Sequence, residues 1–499
     1  MAPTPPKNLS FMERMKYFNP MLVFIMLHMS CTAFNFGFDV GTFGGVQGMQ
    51  SFQDDFGVYN PKTKLWTLPS WLRSVMTATP FIGKALGAIG CGLIAERGAA
   101  LQTSATTSAQ FTLGRIIAYA MTGMAVVVVP IYQGETAPAE LRGMFGCTIQ
   151  FMIILGQVIS SLVTFGTRGM KSNAGWQIPI GLQLVMPAII LVLLPLVPES
   201  PRWLLSKDRV EDAVMNLKKL RKHAGEEEVK FEIESLRYAN ASQHKGGWME
   251  LFNKKNRVRT GIAIFVMFGQ QITGQAFPSQ YGVIFYQSQG FASQAFLFNV
   301  LSNIISLFAV TMTWFTVDAL GRRPSLLTGG TLMAAMMFIL GGMGAVPTHE
   351  LTSAGKNMMV SSIMLFGFFY ALSWAPISYV VVSETAASRV KEKTNLIAMV
   401  VSVLTTFVTS FSTPYIISAI GAKLGFVYGV INVMVMVVTW FVVPELKGKS
   451  LEEVDQLFES GVSIRRLGEV ETKKAEDIYE EKERPFERVE VVAKAKNKS

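Results

Sequence analysis

Long apolar stretches separated by polar ones run through almost the whole chain. Eleven of them approach or exceed 20 residues, the length at which an α-helix crosses the hydrocarbon core of a bilayer. Five lie before a polar stretch of about 60 residues, near 21–46, 72–95, 111–132, 144–166 and 178–197. Six lie after it, near 260–286, 295–317, 325–346, 357–382, 395–418 and 423–443. The pattern predicts an all-α protein with eleven membrane-spanning helices.

The polar stretches divide the chain into five parts. They are an N-terminus over 1–20, a first helical bundle over 21–197, a loop over 198–258, a second bundle over 259–444 and a charged tail over 445–499. Charged and apolar residues alternate with a helical period between Val210 and Leu220, which predicts amphipathic helices on the cytoplasmic face. The tail is expected to lack regular structure beyond about residue 465 because it is so highly charged.

Composition agrees with a membrane protein and excludes most soluble architectures. Half of the 499 residues are hydrophobic and 16% are charged, whereas about a quarter of the residues in a soluble domain are charged. Of the 45 Lys and Arg residues, 14 lie in 202–259 and 12 in 445–499. Cytoplasmic loops of membrane proteins collect such residues, so the net charge of +10 indicates a lipid bilayer as partner and no nucleic acid. The three cysteines lie in apolar segments, and no disulfide is expected.

Acid–arginine signatures recur at matching places in the two bundles. Each signature closes a predicted span, and each has a counterpart on the other side of the central loop. The matching pairs are residues 94–97 with 317–323, 135–143 with 383–389, and 198–200 with 444–446. Such a repeat indicates a duplicated bundle, which is the organisation of many secondary transporters.

A series of short motifs follows the same order along nearly the whole chain. They are Gly114-Arg115, Pro130-Ile131-Tyr132, Glu135 with Arg142-Gly143, Pro198-Glu199-Ser200-Pro201-Arg202-Trp203-Leu204, Gln270-Gln271-Ile272-Thr273-Gly274, Gly321-Arg322-Arg323, Trp374-Ala375-Pro376 with Tyr379 and Glu384, and Arg389-Val390-Lys391. In this order they resemble the sugar porters of the major facilitator superfamily, most of all the fungal hexose transporters. The resemblance implies two pseudo-symmetric helical bundles, a binding site near mid-membrane and a monomer in the plasma membrane.

The resemblance implies twelve spans, and the first bundle is the shorter one. From Gly98 to Glu135 the chain has 37 residues, whereas the matching interval from Gly321 to Glu384 has 63. The difference exceeds the roughly 20 residues of a spanning helix, so most of the third span is expected to be missing near 98–110. Its absence has two possible origins: a splice variant or gene-prediction error, and a natural eleven-span protein.

The short interval also leaves two topologies open. If 98–110 is only a loop, every later span is inverted, and the basic loop and tail lie outside, against the positive-inside rule. If 98–110 crosses the membrane, its roughly 13 residues reach only about 20 Å as a helix, in a core of about 30 Å. Both arrangements are unfavourable.

An acid inside the first apolar segment is the clearest candidate for chemistry. Asp39 lies within Phe36–Gly41, and an isolated acid at membrane depth is costly and usually functional; a structural partner for a basic residue is the alternative. In proton-coupled sugar porters the acid at this motif position binds the proton, and the arginine of the Gly-Arg motif, here Arg115, tunes it. A nearby guanidinium favours the ionised carboxylate, and separation of the pair favours proton uptake. The resemblance therefore implies proton symport rather than facilitated diffusion.

Amide and aromatic side chains inside the spans are the candidates for sugar binding. Amides can bind the sugar hydroxyls, and an aromatic face can pack against the ring. Gln150 and the pair Gln270 and Gln271 match positions at which the family contacts sugar, although hydrogen bonds between helices are the alternative role for such amides. Further candidates for the wall of the site, for stacking or for gating are Gln275, Gln280, Tyr281, Trp374 and Tyr379.

Several positions depart from the family pattern. Ala276, Ser306 and Ser402 stand where the family has asparagines, which leaves fewer polar anchors for the substrate. Lys84 lies inside the second span, where it could extend its ammonium to the membrane surface or pair with Asp39 or Glu96.

The acid–arginine signatures supply the candidates for a cytoplasmic gate. In relatives such ion pairs hold the two bundles together in the outward-facing state; ordinary positive-inside anchoring is the alternative. The candidates are Glu96, Arg97, Glu135, Arg142, Glu199, Arg202, Asp318, Arg322, Arg323, Glu384, Arg389 and Glu445.

The expected function is transport, with no enzyme activity and no cofactor. No nucleophile–base pair, metal cluster or phosphate-binding loop stands out in the sequence. The resemblance implies transport of a monosaccharide, a hexose, by alternating access and together with a proton. A non-transporting sugar sensor and an inactive truncated variant are the alternatives.

Overall fold

The computed structural model describes most of the chain between Asn19 and Glu469. The described residues are 19–61, 64–90, 102, 104–136, 142–222, 225–242, 246–254, 256–347, 350–447, 449, 451–459 and 462–469. Helices account for nearly all of the regular structure in these ranges. All eleven predicted apolar segments fall on helices, and seven helical stretches are long and apolar enough by themselves to cross a membrane.

The described part of the first half contains seven α-helices and one small hairpin. The helices are α1 (Pro20–Val46), α2 (Gln50–Phe56), α3 (Ser70–Gly90), α4 (Ser108–Thr136), α5 (Arg142–Thr167), α6 (Ala174–Gly181) and α7 (Val185–Leu193). Between α2 and α3, β1 (Val58–Asn60) pairs antiparallel with β2 (Leu65–Thr67), with Tyr59 opposite Trp66. Neither α2 nor the hairpin was expected from the apolar pattern, because both are short and their residues are mixed.

Three helices and a 3₁₀ turn form the central loop. They are α8 (Pro201–Ser206), α9 (Val210–Leu220), α10 (Glu226–Ser242) and the 3₁₀ turn Trp248–Phe252. The amphipathic helix expected between Val210 and Leu220 is present, with Ala213 and Leu217 on its buried face. The Asn19 amide donates to the Leu220 carbonyl over 2.9 Å, so this part of the loop lies under the first half.

The second half contains nine helices. They are α11 (Arg257–Ile272), α12 (Ala276–Ser288), α13 (Ala295–Leu320), α14 (Arg322–Ala345), α15 (Ser353–Leu372), α16 (Trp374–Thr385), α17 (Lys391–Ile420), α18 (Leu424–Val442) and α19 (Leu451–Glu459). Two segments predicted as single spans, 260–286 and 357–382, are each broken in the middle. The first break contains Gly274 at φ +98°, a left-handed conformation that favours glycine, and the second is at Ser373.

The helices pair in a repeated pattern, and the two halves meet mainly along three contacts. In the first half α1 packs on α5 and α3 on α4; in the second half α11 packs on α17 and α13 on α15. Between the halves α3 packs on α17, α5 on α13 and α1 on α12. The duplicated bundle expected from the repeated signatures is therefore present, and its interface lies between α1, α3 and α5 on one side and α12, α13 and α17 on the other.

The direction of the helices defines two sides of the molecule. We call the side that carries the central loop the loop side, and the side that carries the β1–β2 hairpin the hairpin side. Because α3 follows the hairpin, it runs from the hairpin side to the loop side. Gly83 and Gly87 of α3 lie directly against the backbone of Ile116 and Ala120 in α4, so the two helices are parallel. Gly90, at the end of α3, therefore lies on the loop side, and Ser108, at the start of α4, lies on the hairpin side.

One helix of the first half is much less buried than its counterpart in the second. No residue of α7 is buried, whereas α18 buries residues from Leu424 to Thr439, many of them against α14. In the first half, the helix equivalent to α14, on which α7 would pack, would lie between α3 and α4 along the chain. Residues 91–101 and 103 of that interval lie outside the described part of the chain.

Candidate functional site

A buried ion pair joins α1 to α4. Arg115 Nη2 lies 3.0 Å from Asp39 Oδ2, so the structure brings together the two residues expected to couple transport to protons. The Arg115 side chain is only 2% exposed and also donates to the Met76 carbonyl over 2.8 Å and to the Tyr119 hydroxyl over 3.1 Å. The guanidinium lies 3.8 Å from the centre of the Phe43 ring, which adds a favourable cation–π contact. Arg115 is thus fixed by three helices, α1, α3 and α4.

Gln183 is a member of this site that the sequence interpretation missed. It lies in the turn between α6 and α7, and its amide donates to Asp39 Oδ1 over 2.8 Å. Both carboxylate oxygens of Asp39 therefore have a hydrogen-bond donor. An amide in an otherwise apolar stretch is a usable signal, because a buried polar group in a membrane protein needs a partner.

The paired glutamines of α11 lie at the interruption between α15 and α16, next to Ser373. The Gln270 amide donates to the Ala375 carbonyl over 2.9 Å and approaches the Trp374 carbonyl at 3.3 Å. Gln271 donates to Gln270 Oε1 over 3.0 Å. The Trp374 indole is fully buried and donates to the Leu326 carbonyl over 3.0 Å. In this conformation the three side chains hold α11, α14 and α16 together.

The remaining candidates for sugar binding are spread along the interface between the halves. Tyr281 is buried, and its hydroxyl donates to the Ser410 carbonyl over 2.6 Å. The side-chain oxygens of Gln275 and Gln280 are buried without a hydrogen-bond partner, so both remain able to accept a bond from a ligand. Gln150 is half-buried on α5, and Tyr379 packs against α11 and α17 on the loop side.

On the hairpin side the two halves are in direct contact. The Gln47 amide donates to the Gln280 carbonyl, and Gln287 donates to the Gly48 carbonyl over 3.0 Å. A Cβ atom on Gly44 would lie 2.9 Å from the Ser279 carbonyl oxygen. The contact of α1 with α12 therefore closes this side of the interface.

The acid–arginine residues that can be described form pairs within each half. Arg322 makes a 2.7 Å ion pair with Glu384, and Glu445 accepts from the backbone amides of Arg322 and Arg323. In the first half Glu135 accepts from Ser200.

Two further pairs involve the loop. Glu199 pairs with Arg209 at 3.1 Å, and Arg389 lies 3.9 Å from Glu250. Arg202 lies at the start of α8 and is half-buried. Glu96 and Arg97 lie outside the described residues; for Arg142 and Asp318 only the backbone is described.

Lys84 does not bind Asp39. Its ammonium lies 3.6 Å from the centre of the Phe36 ring, and both oxygens of Asp39 are occupied by Arg115 and Gln183. The side chain is 8% exposed, so it also does not extend to the membrane surface. Glu96, the other partner considered, lies outside the described residues.

The arrangement holds two opposite charges together inside the protein. A buried carboxylate paired with a guanidinium is stable only while both are charged and in contact. Within the described ranges, no group of three His, Cys, Asp or Glu residues could hold a metal ion.

Comparison with known proteins places the chain in a family. The sequence profile described as "Sugar (and other) transporter" matches residues 25–458. The chain is 30% identical to the high-affinity glucose transporter ght2 of Schizosaccharomyces pombe, over 96% of this chain and 95% of the relative. It is 29% identical to the high-affinity gluconate transporter ght3 of the same yeast, over 91% and 87% of the two chains. It is also 30% identical to the low-affinity glucose transporter HXT1 of Saccharomyces cerevisiae, over 86% and 80%.

Solved structures agree on the fold. The partially occluded, inward-open xylose transporter XylE from E. coli superposes with a TM-score of 0.71 at 22% identity, over 87% of this chain and 100% of that chain. The fold and the ion pair define a multi-pass membrane transport protein built from two helical bundles. More narrowly, the chain belongs to the sugar transporter family of the major facilitator superfamily, whose members are transporters and not enzymes.

Proposed function

We propose that the protein is a proton-coupled transporter of a monosaccharide that works by alternating access. The observation that carries the proposal is the buried pair of Asp39 and Arg115, reinforced by Gln183. Charges at this depth are maintained only where they are paired or used. Protonation of Asp39 gives the site a way to exist in two states, with α1 held against α4 in one of them and released in the other.

The substrates named for the relatives indicate which compounds this protein is proposed to transport. Relatives are named as transporters of glucose, gluconate and galactose, so both neutral and carboxylated monosaccharides are within the family's reach. We propose a hexose or a closely related monosaccharide as the cargo. Residence in the plasma membrane and a monomeric state are part of the same proposal.

Uptake in cells without their own sugar transporters tests the transport step. Labelled D-glucose and labelled sugar acids are offered to cells that express the protein with a C-terminal fluorescent tag, and surface protein is measured in the same cells. Saturable uptake that collapses with a protonophore supports symport, and saturable uptake that is unchanged by it shows facilitated diffusion. Absence of uptake despite surface protein points to a sensor or an inactive variant.

The substitution Asp39→Asn tests the coupling. An amide keeps the shape of the carboxylic acid but takes up no proton, so uphill accumulation is expected to disappear. Counterflow, in which sugar moves down its own gradient, is expected to remain. Asp54→Asn, at an exposed acid of α2, is the matched control, and accumulation that survives in the Asp39 variant contradicts the proposal.

We also propose that most of one helix is missing between α3 and α4. Three observations support it. The interval has only 37 residues, and α7 has no buried residues. The alignment with ght2 spans 510 positions, more than the 499 residues of this chain, so it contains gaps in this chain. Sequencing the transcript across Arg97 and Gly98 tests it. A transcript that encodes an additional apolar segment identifies a splice variant or gene-prediction error, and one that does not identifies a natural eleven-span protein.

A further inference from the structure

Lys84 is a buried cation whose partner is an aromatic ring. It lies on α3, eight residues beyond Met76, with its ammonium over Phe36. Among the described residues, no hydrogen bond or ion pair reaches this ammonium. A single ring replaces only part of the hydration that an ammonium loses when it is buried. The Lys84 ammonium therefore lacks a negatively charged partner among the described residues.

The surrounding helices offer no free carboxylate to complete it. Asp39 is the only acid in α1, α3 and α4 apart from Glu135 in the last turn of α4, and both of its oxygens already have donors. On α17, which packs against α3, the only acid is Glu392 in the first turn. Within these helices no carboxylate is left to pair with Lys84; Glu96, 12 residues further along the chain, lies outside the described residues.

A second cation lies on the same face of α3. Arg73 is 11 residues before Lys84, which is three helical turns and places the two side chains on one side of the helix. Arg73 is half-buried, and its Nε atom has no hydrogen-bond partner. One face of α3 therefore carries two cations along the depth of the membrane.

α3 lies along the boundary between the two halves. Ser74, beside Arg73, donates to the Phe411 carbonyl of α17 over 2.8 Å, and Phe81, one turn before Lys84, packs in a cluster with Val403 and Phe407 of α17. The same helix offers buried hydroxyl groups to the interface, at Ser402, Thr405, Thr406 and Thr409. In transporters built from two repeats, substrates bind at such a boundary near mid-membrane.

We infer that the translocation site takes an anionic monosaccharide, a sugar acid whose carboxylate pairs with the Lys84 ammonium while its hydroxyls bind the polar side chains of the interface. The inference rests on the proposed transport of a monosaccharide and narrows its substrate class. It also accounts for the positions where the family's asparagines are replaced, at Ala276, Ser306 and Ser402, because a charge pair reduces the need for amide anchors.

Uptake of labelled D-gluconate, D-glucuronate, D-galacturonate and D-glucose in the same cells tests the inference. At least one sugar acid is expected to be taken up saturably and to compete with any glucose uptake. Lys84→Gln is expected to lower sugar-acid uptake by about tenfold or more, the usual effect of losing one buried charge pair, and to lower it by a larger factor than any glucose uptake. Lys84→Arg, which keeps the charge, is expected to restore much of it, and Lys423→Gln, at an exposed lysine, is the control.

The outcomes separate this inference from the proposed function. Saturable glucose uptake that no sugar acid inhibits overturns the inference and leaves monosaccharide transport standing. Absence of uptake of all four compounds, with the protein at the cell surface, overturns both. Sugar-acid uptake that Lys84→Gln does not change overturns the role of Lys84. If Lys84→Gln fails to reach the surface, the selectivity of the unmodified protein still decides the substrate class.

Discussion

At the scale of single residues, the Asp39 carboxylate shows how one charge is maintained inside a membrane protein. Arg115 neutralises it, Gln183 donates to its second oxygen, and Arg115 is in turn held by Met76 and Tyr119. Each donor comes from a different part of the first half. Any movement that changes the distances between these helices therefore changes the environment of the acid, which links its protonation to conformation.

Gln183→Leu is expected to weaken this site without removing the ion pair. One oxygen of Asp39 would lose its donor in a place that water does not reach, at a cost of about 1–3 kcal/mol. We expect lower thermal stability in detergent and a shift in the pH at which uptake is half-maximal. Gln177→Leu, on α6, is the matched control. A variant that behaves like the unmodified protein in both measurements would show that the bond to Asp39 contributes little.

At the scale of elements, glycines set how closely the helices approach. A Cβ atom on Gly37 of α1 would lie 1.8 Å from the Ile153 carbonyl oxygen of α5, and one on Gly87 of α3 would lie 1.6 Å from that of Ala120. Small residues let helix backbones come this near in a membrane, where van der Waals packing replaces the hydrophobic effect as the main attraction. The pairs α1–α5 and α3–α4 depend on this contact.

Gly37→Ala is expected to separate α1 from α5 and lower the yield of folded protein. Because the clash is with backbone, side-chain movement cannot relieve it, and a loss of about 2 kcal/mol or more is expected. The measurement is the thermal midpoint by size-exclusion chromatography of the tagged protein. Gly261→Ala, on α11 with open space around the added methyl group, is expected to be neutral. Equal midpoints for the two variants would refute the importance of the contact.

Broken helices are the second feature at this scale. Directly after the gap between α15 and α16, Gln270 donates to the Trp374 and Ala375 carbonyls in the first turn of α16. The gap between α11 and α12 contains Gly274 packed against the Tyr428 ring. Breaks in spanning helices of transporters are common at binding sites, because freed backbone groups can bind a ligand. Here they lie beside the predicted sugar residues.

At the scale of the whole molecule, the parallel course of α3 and α4 decides which side each loop faces. It puts the central loop and the hairpin on opposite sides of the membrane. With the positive-inside rule, the basic loop side is expected to face the cytoplasm.

Cysteine accessibility tests this topology in intact cells. Lys171→Cys follows α5 on the hairpin side, and Lys254→Cys lies in the central loop; both lysines are exposed. An impermeant maleimide is expected to label position 171 without permeabilisation and position 254 only after it, in a background with Cys31, Cys91 and Cys147 replaced. The reverse pattern would establish the inverted topology.

The amino-acid sequence by itself determined the helical class, the positions of the spans and the duplicated bundle, and the family resemblance implied the pairing of Asp39 with Arg115. The helical class and the spans follow from hydropathy over 20 residues, which is a local property, and the repeated signatures indicate the duplication. The shortness of the interval before α4 could also be recognised from the sequence, because the matching interval in the second half shows the length to expect.

Only the tertiary structure decided the rest. It showed that Gln183 donates to the second oxygen of Asp39 and that Gln270 donates to the Ala375 carbonyl at the start of α16. It also showed that Lys84 lies over the Phe36 ring instead of beside an acid. These features depend on which helices become neighbours. The contacts join segments more than 30 residues apart, and a local sequence pattern holds no information about such contacts.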